Sequence, residues 1–464
     1  MATAIWWIRR DLRLGDNPTL AAALSEGYSV IPLFILDPRL LKLAAPKRKA
    51  FLLGGLQQLD QALRQANSRL VIRMGEPETV IEELKEETEA AALFAEEDYS
   101  PYATRRDERT ARYIPFYRVV GATVHHPASV LRSNGEPYTV FTPFSKAWKA
   151  LPFSPALLRA PAALPPVRDS LRSESLPEIQ VSTLFPPGEE EAKRRLERFI
   201  SGPIYEYLDG RNRLDLEGTS ALSPYLRFGM ISARQVALAS LKAIEDTADP
   251  AARRSAEAWL NELIWREFFS AILYHFPHVL REAFNPTLRD IPWQSSPQDL
   301  EIWRAGLTGY PVVDAAMRQL AETGWMHNRG RMITASFLTK DLLINWQEGE
   351  NWFMSQLVDG DPAANNGGWQ WTAGVGTDAA PYFRVFNPTL QAKQFDPQGN
   401  YIRRWIPELA DFPVKYIHTP WAAPGELLRK SGYPTPWVDH SVARNRALWA
   451  YSFAKENAKK SPHL

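Results

Sequence analysis

Over its first ~125 residues the chain alternates short apolar runs with helix-length amphipathic segments, and this constrains the fold more than any other feature. Ala4–Ile8, Val30–Leu36, Arg69–Arg73, Ala90–Ala95 and Ala122–His125 read as strands. Thr19–Leu24, Lys49–Ala66, a segment opened by Pro77, and Thr104–Arg118 read as the helices between them. Asp16-Asn17-Pro18 supplies a cap and a helix-opening proline. Strands separated by helices pair in parallel, so a doubly wound α/β sheet of the nucleotide-binding type is expected.

Residues 151–187 hold eight prolines and little periodicity, which predicts an extended connector over the surface. Beyond Glu189 the pattern is helical throughout: Ala192–Ile200, Ala233–Ala243, Ala256–His275, Val312–Glu322, Arg331–Asn345 and Trp352–Leu357 are candidate helices. The expectation is therefore an α/β domain over residues 1–130, a Pro-rich connector over 131–190, and an all-α domain over 191–464.

At 464 residues the chain is too long for one core, in keeping with that division. No apolar run approaches the ~18 residues of a membrane-spanning helix. Met1-Ala2-Thr3-Ala4 runs directly into a strand-like segment, so no secretory leader is expected. The absence of cysteine excludes disulfides, thiolate metal sites and cysteine nucleophiles, and the expected location is cytoplasmic. Net charge is +1, with 20 basic against 18 acidic residues before position 151 and 34 against 35 after it. Nucleic acid would have to be met by a local patch and not by bulk charge.

Chemistry concentrates between Leu357 and Trp371, which reads Leu-Val-Asp-Gly-Asp-Pro-Ala-Ala-Asn-Asn-Gly-Gly-Trp-Gln-Trp. Its acids and amides are expensive to bury unless a polar ring fills their hydrogen bonds. Its glycines let the backbone approach a flat ligand, and its indoles offer oxidisable faces. Asp359-x-Asp361 alone suggests a hard-metal site or, more commonly, a solvated loop. With Asn365, Asn366 and Arg331 in reach, the set reads instead as the wall of a pocket for a redox-active aromatic cofactor. Thr219-Ser220-Ala221-Leu222-Ser223 before Pro224 reads either as a plain helix cap or as a phosphate-binding turn.

Several long motifs in order resemble the DNA photolyase and cryptochrome flavoproteins, and within them the class I cyclobutane pyrimidine dimer enzymes. They are Trp7-Ile8-Arg9-Arg10-Asp11-Leu12-Arg13-Leu14, Glu217 to Pro224, Trp259 to Glu267, Thr308-Gly309-Tyr310-Pro311, Thr323 to Arg329, and the Asp-Gly-Asp segment. The resemblance spans nearly the whole chain and is weakest in the connector and after about Thr419. It implies FAD, active in its reduced form. It assigns Tyr207, Thr219, Ser220, Leu222 and Ser223 to the pyrophosphate, and Trp259 and Arg266 to the cofactor pocket. Asp361 would contact the ring imide, Asp359 would pair with Arg331, and Asn365 would face N5. Trp369, Trp346 and Trp293 match the family's electron-relaying indoles.

For the substrate, the resemblance places Trp265 and Trp371 as an apolar notch for two damaged bases. Glu262 and Asn328 would bond to the pyrimidine edges, with Met332 packed beside them. Asn328 and Met332 stand where relatives that repair the (6–4) photoproduct carry histidines, which points to a cyclobutane dimer. Arg211, Arg329 and Arg384 are candidates for phosphate contacts, and His327 is read as structural. Asp37, Arg48 and Asp98 resemble the subgroup that binds a deazaflavin-type antenna more than the folate-binding one. No metal is expected, and the partner is damaged DNA, with the dimer flipped out of a duplex or in a single strand, bound by a monomer. Two rival readings are a cryptochrome-like receptor without repair activity and an adenylating enzyme. The first would lack the Glu262, Trp265, Asn328, Met332 and Trp371 set, and the second a reason for Arg9-Arg10-Asp11-Leu12-Arg13 where a Gly-rich fingerprint belongs.

Overall fold

The computed structural model describes residues 2–177 and 184–460. Residues 178–183 of the expected connector, together with Met1 and 461–464, lie outside the described residues. The chain divides into two compact units. The first comprises Met1–Leu208, Thr219–Pro277 and Val358–Ala363, and the second Asp209–Gly218, His278–Leu357 and Ala364–Leu464.

In the first unit, β1 (Thr3–Ile8), β2 (Ser29–Leu36), β3 (Val71–Met74), β4 (Ala92–Glu96) and β5 (Phe116–Val119) form one sheet in the order β3-β2-β1-β4-β5. Every pairing is parallel. The crossovers are α1 (Pro18–Ser25), a one-turn helix Pro38–Leu43 followed by α2 (Pro46–Gln65), α3 (Pro77–Thr88) and α4 (Pro101–Thr110). Each opens on a proline, whose missing N–H is one the first turn leaves unbonded in any case. At α1 the Asn17 side chain also accepts from Leu20 N at 3.0 Å.

The doubly wound sheet is the one expected, but its last strand is displaced. The helix expected over Thr104–Arg118 ends at Thr110, and β5 occupies Phe116–Val119, directly after Pro115. Ala122–His125 is not a strand. The Val124 and His125 amides go to the Glu267 carboxylate, at 2.6 and 3.4 Å, and so are not available to a ladder. The connector also carries a helix that proline counting conceals, α5 (Phe141–Ala150). Further on it lies against the sheet edge, where Glu174 N donates to Ile72 O at 2.8 Å and Val167 joins the sheet's apolar core. That contact shields an edge strand that would otherwise present unpaired backbone.

The remaining helices of this unit used below are α6 (Glu189–Ile200), α7 (Ala233–Asp246) and the 26-residue α8 (Pro250–His275). Asp249 caps α8 through the Ala251 and Ala252 amides.

The second unit is helical. Its core gathers Trp303, Met317, Leu320, Phe337, Trp346, Phe353, Trp369 and Tyr451 among others. It contains α9 (Pro311–Thr323), α10 (Asn328–Ser336) and α11 (Trp346–Gln356). The helix α12 (Pro362–Ala373) follows, then the C-terminal α13 (His440–Lys460). The helix expected over Arg331–Asn345 is interrupted. After Ser336 the chain makes a π-type turn over Phe337–Asp341, with Leu342 N bonded to Phe337 O at 3.0 Å, and Leu343 takes a positive φ of 54°.

Candidate functional site

In the first unit, α8 places Trp259, Glu262 and Arg266 at helical spacing on one side. Trp259 is buried against Phe199 at 4.8 Å between ring centres. Arg266 donates to Ala122 O at 2.8 Å, and burial, followed by the nearby Arg10, lowers its pKa. Trp265 is stacked face to face on Phe141 at 3.8 Å and 3°, so one indole face is already covered. Tyr207 is buried edge-on to Phe199 at 6.0 Å.

The turn Thr219–Ser223 takes a left-handed residue at Ala221, with φ of 50°, a strained conformation for alanine. The helix it leads into, Ser223–Arg227, has Leu222 at its cap position and no side-chain capping bond. The plain-cap reading of these hydroxyls therefore does not hold. Leu222 is buried, Thr219 and Ser220 are half-buried and Ser223 is exposed.

Asp361 sits in a basic cluster. Arg10 Nη2 meets its Oδ2 at 2.7 Å, Arg227 Nε lies 3.9 Å from the same oxygen, and Ala363 N donates to Oδ1 at 3.0 Å. Arg227 also donates to Gly360 O at 2.8 Å. Burial, and then the like charge of Arg10, push the Arg227 pKa down to about 9. For Arg10, burial works against the charge, but Asp361, Asp98 and Glu96 outweigh it and its pKa rises.

The three antenna candidates each answer to a different partner. Asp37 caps Arg39 N at 3.0 Å, pairs with the Arg39 side chain and accepts a short bond from the Tyr102 hydroxyl. Asp98 accepts from Ser100 N at 2.9 Å and lies 3.9 Å from Arg10. Arg48 is buried, which lowers its pKa, and the anion that steadies its charge is the buried Asp359.

The helix α12, which lies in the second unit from Ala364 onward, is unusually polar in composition, and its buried amides are satisfied. Asn366 Nδ2 donates to Val279 O at 3.0 Å and to Glu350 Oε1 at 3.2 Å. Gln370 Nε2 donates to Val279 O at 2.9 Å, and its Oε1 accepts from Phe284 N at 2.8 Å. Asn365 Nδ2 donates to Glu350 O at 3.1 Å. Glu350 is buried, which pushes its pKa up to about 7 against the opposing bond from Asn366.

Trp369 and Trp346 are each 3% exposed in the same core, and Trp293 packs against that core half-buried. Trp369 meets Phe353 at 5.0 Å and Trp303 at 6.1 Å. Trp293 meets Tyr451 edge-on at 5.9 Å. Trp371 is half-buried, and its carbonyl accepts from Gly374 N and Ala380 N.

On α10, Asn328 and Met332 are one turn apart, with Nδ2 and Sδ at 3.8 Å. Arg331 Nε donates to Met326 O at 2.9 Å. His327 caps α10 through Nδ1, which accepts from Arg329 N at 3.1 Å. Burial, and then Arg329 and Arg331, lower its pKa to about 4, so the imidazole is neutral at physiological pH. Arg211, Arg329 and Arg384 come together. Burial, followed by those two neighbouring charges, lowers the Arg329 pKa to about 10, while its guanidinium bonds Asn212 Oδ1 at 2.5 Å and stacks on Phe395 at 4.4 Å. Guanidiniums held near one another favour an anionic ligand.

Comparison with known proteins decides the family. Residues 4–166 match the model described as DNA photolyase, and residues 259–452 the model described as FAD binding domain of DNA photolyase. The chain belongs to the DNA photolyase family. It is 41% identical to a deoxyribodipyrimidine photo-lyase of Synechococcus sp., covering 98% of this chain and 97% of that one. A class III photolyase from Agrobacterium tumefaciens has the same fold, with a TM-score of 0.92, 37% identity and 98% of each chain covered. A cryptochrome from Synechocystis sp. matches at a TM-score of 0.88 and 30% identity, covering 97% and 99%.

The residues of this photolyase-family chain fit FAD. Asn365 gives one amide hydrogen to Glu350 and keeps an uncharged oxygen and a second N–H. One turn further along α12, a Cβ added at Gly368 would meet nothing within 4 Å, so this side of the helix leaves room for a flat ring. Among the described residues, no group of three or more His, Cys, Asp or Glu could hold a metal, and no helix is long and apolar enough to cross a membrane.

Four residues beside the candidates were not singled out from the sequence: in the first unit Arg10 and Arg227 against Asp361 and Phe141 beneath Trp265, and in the second Glu350 behind Asn365. Arg10 lies in a quoted motif, where its neighbourhood of charges is the only signal. Phe141 carries none, because its partner is 124 positions away.

Proposed function

We propose that this chain is a light-driven enzyme that splits cyclobutane pyrimidine dimers in DNA. When bound, reduced FAD supplies under near-ultraviolet or blue light the electron that opens the cyclobutane ring and that is afterwards returned, with no net redox change. The observation that carries the choice of substrate is the Asn328–Met332 pair on α10, which offers a hydrogen-bonding amide and an apolar thioether but no proton shuttle. The adjacent imidazole of His327 is neutral and engaged as a helix cap.

In this reading Tyr207, Thr219, Ser220, Leu222 and Ser223 hold the pyrophosphate, and Trp259 and Arg266 line the cofactor pocket. Asp361 bonds to the ring imide, Asp359 pairs with Arg331, and Asn365 faces N5. The bond from Asn365 to Glu350 fixes the amide orientation, and the uncharged oxygen adds no repulsion toward a reduced ring. Trp369, Trp346 and Trp293 return the cofactor to its reduced form.

Trp265 and Trp371 receive the dimer by stacking, worth ~1–3 kcal/mol per base. Glu262 and Asn328 bond to the pyrimidine edges, and Glu262, when its carboxyl is protonated and donates a hydrogen bond, stabilises the negative charge that develops on the dimer. Arg211, Arg329 and Arg384 take backbone phosphates, which makes binding salt-dependent. Photolyases are among the enzymes that extrude their target from the stack, and a damaged pair is less costly to extrude. The protein acts as a cytoplasmic monomer. A deazaflavin-type antenna belongs to this proposal through the resemblance at Asp37, Arg48 and Asp98 alone.

The test is repair of a dimer-containing oligonucleotide by the purified protein under blue light, with a dark control. Light-dependent loss of the dimer supports the proposal. Flavin photochemistry without repair favours the cryptochrome-like receptor, to which the similarity to the Synechocystis protein lends weight.

A further inference from the structure

Where a doubly wound sheet reverses its strand order, the crevice beyond the strand ends is the usual place for a ligand. In this chain the crevice beyond β1 and β4 is filled with charge. Arg9 pairs with Asp107 at 2.6 Å and donates to Glu96 O, and Arg10 pairs with Asp361 at 2.7 Å. Arg13 donates to Gly229 O at 2.9 Å and Asp16 O at 3.1 Å.

Glu96 does not fit this pattern of filled bonds. It is 2% exposed, and among the described residues neither carboxyl oxygen accepts a hydrogen bond. Its nearest cation, Arg13 Nη2, stands at 3.6 Å, too far for a hydrogen bond, and has no acceptor of its own. The chain nevertheless makes space for this side chain, since a Cβ on Gly121 would lie 2.5 Å from Glu96 Oε2. The charged groups facing it are Arg9, Arg10, Asp11 and Arg13 from the segment after β1, and Arg266 from α8. The Tyr99 hydroxyl also feels the Glu96 charge, and Gly121, Ala122, Leu226, Gly229, Ile231 and Ala233, which line the same crevice, cannot ionise.

We infer that Glu96 is a positioning residue that couples the uptake of one proton to cofactor binding, through Arg10 and Asp361. An ionised Glu96 draws on Arg10 in competition with Asp361 and adds a negative charge to the cluster. A neutral Glu96 leaves Arg10 to Asp361 and makes the cluster one unit more positive, which favours a ligand carrying an anionic pyrophosphate. The transition falls in the physiological range, because burial lifts this carboxyl to about 7 against the pull of Arg13. The inference rests on the reading that Asp361 meets the ring imide of FAD.

The test compares the full-length wild-type protein with Glu96→Gln, which keeps the shape and cannot ionise. FAD dissociation constants are measured across pH from about 5.5 to about 8.5, bracketing the neutral range. The wild-type constant should rise severalfold with a midpoint near 7, and that of E96Q should stay near the acidic wild-type value. In apoprotein, the wild-type Tm should fall relative to E96Q as pH rises from about 5 to about 7 and then run parallel, because the folded state holds the proton more tightly than the unfolded one.

Binding of FAD with superposable pH profiles overturns the inference alone, as does a Tm difference without any difference in binding. Failure of both proteins to bind FAD at any pH overturns the cofactor reading and this inference with it.

Discussion

Gly349 and Trp369 meet with no space between them: a Cβ at Gly349 would lie 2.0 Å from Trp369 Cη2 and 2.6 Å from Leu338 Cδ2. Gly349 is one turn into α11, whose first residue is Trp346, so the glycine sets how closely that helix approaches the Trp369 ring. Gly349→Ala should lower stability by ~1–3 kcal/mol, the usual range for overpacking. It should also slow light-driven reduction of bound flavin while leaving FAD affinity little changed. Thermal unfolding and photoreduction kinetics together read both effects.

The buried Glu350 carboxyl, lifted to about 7, gives a second prediction. Its folded pKa exceeds its ordinary value, so its contribution is full at acidic pH and is lost as pH rises through about 7. Glu350→Gln keeps the bond from Asn366 and removes the titration. The pH dependence of stability between about 5 and about 7 should flatten by up to about 3 kcal/mol relative to wild type, as denaturant titrations at several pH values would show. Equal slopes would mean that the carboxyl titrates in its ordinary range.

Removing one of three clustered guanidiniums should weaken DNA irrespective of sequence. Arg329→Gln is expected to lower affinity for dimer-containing DNA and to reduce the slope of log affinity against log salt by about one. FAD content should be unaffected. An unchanged salt slope would place Arg329 away from the phosphates.

Phe141 supports Trp265 from beneath, so its loss should be felt at a distance from its own sequence neighbourhood. Trp265→Ala should weaken dimer binding by ~1–3 kcal/mol. Phe141→Ala should weaken it less, by about 0.5–1.5 kcal/mol, through a loosened indole and not a lost contact. Both variants should retain FAD. Competition binding against undamaged DNA distinguishes loss of dimer recognition from general loss of affinity.

Much of this architecture can be read along the chain. β1 and β2 fall where apolar runs predict them, because a strand buried on both faces of a parallel sheet has no polar alternation to obscure it. The strand expected at Ala122–His125 fails for a reason invisible locally: its amides answer to Glu267, 142 or more positions away. The Leu357–Trp371 segment shows the same divide. Its residue types mark it as chemically special, yet its polarity conceals the helix it forms. The carbonyls of Val279 and Glu282, the amide of Phe284 and the carboxyl of Glu350 make burial of Asn366 and Gln370 affordable.

The amino-acid order alone predicted a parallel α/β part and a helical part, because periodicity and proline placement are local quantities, and its motifs carried the resemblance to the DNA photolyase family. Only the tertiary structure decided which charges meet and which rings touch. Arg10 reaches Asp361 across 351 positions, and Phe141 reaches Trp265 across 124. Electrostatic and dispersion forces depend on distance through space, which separation along a chain does not report.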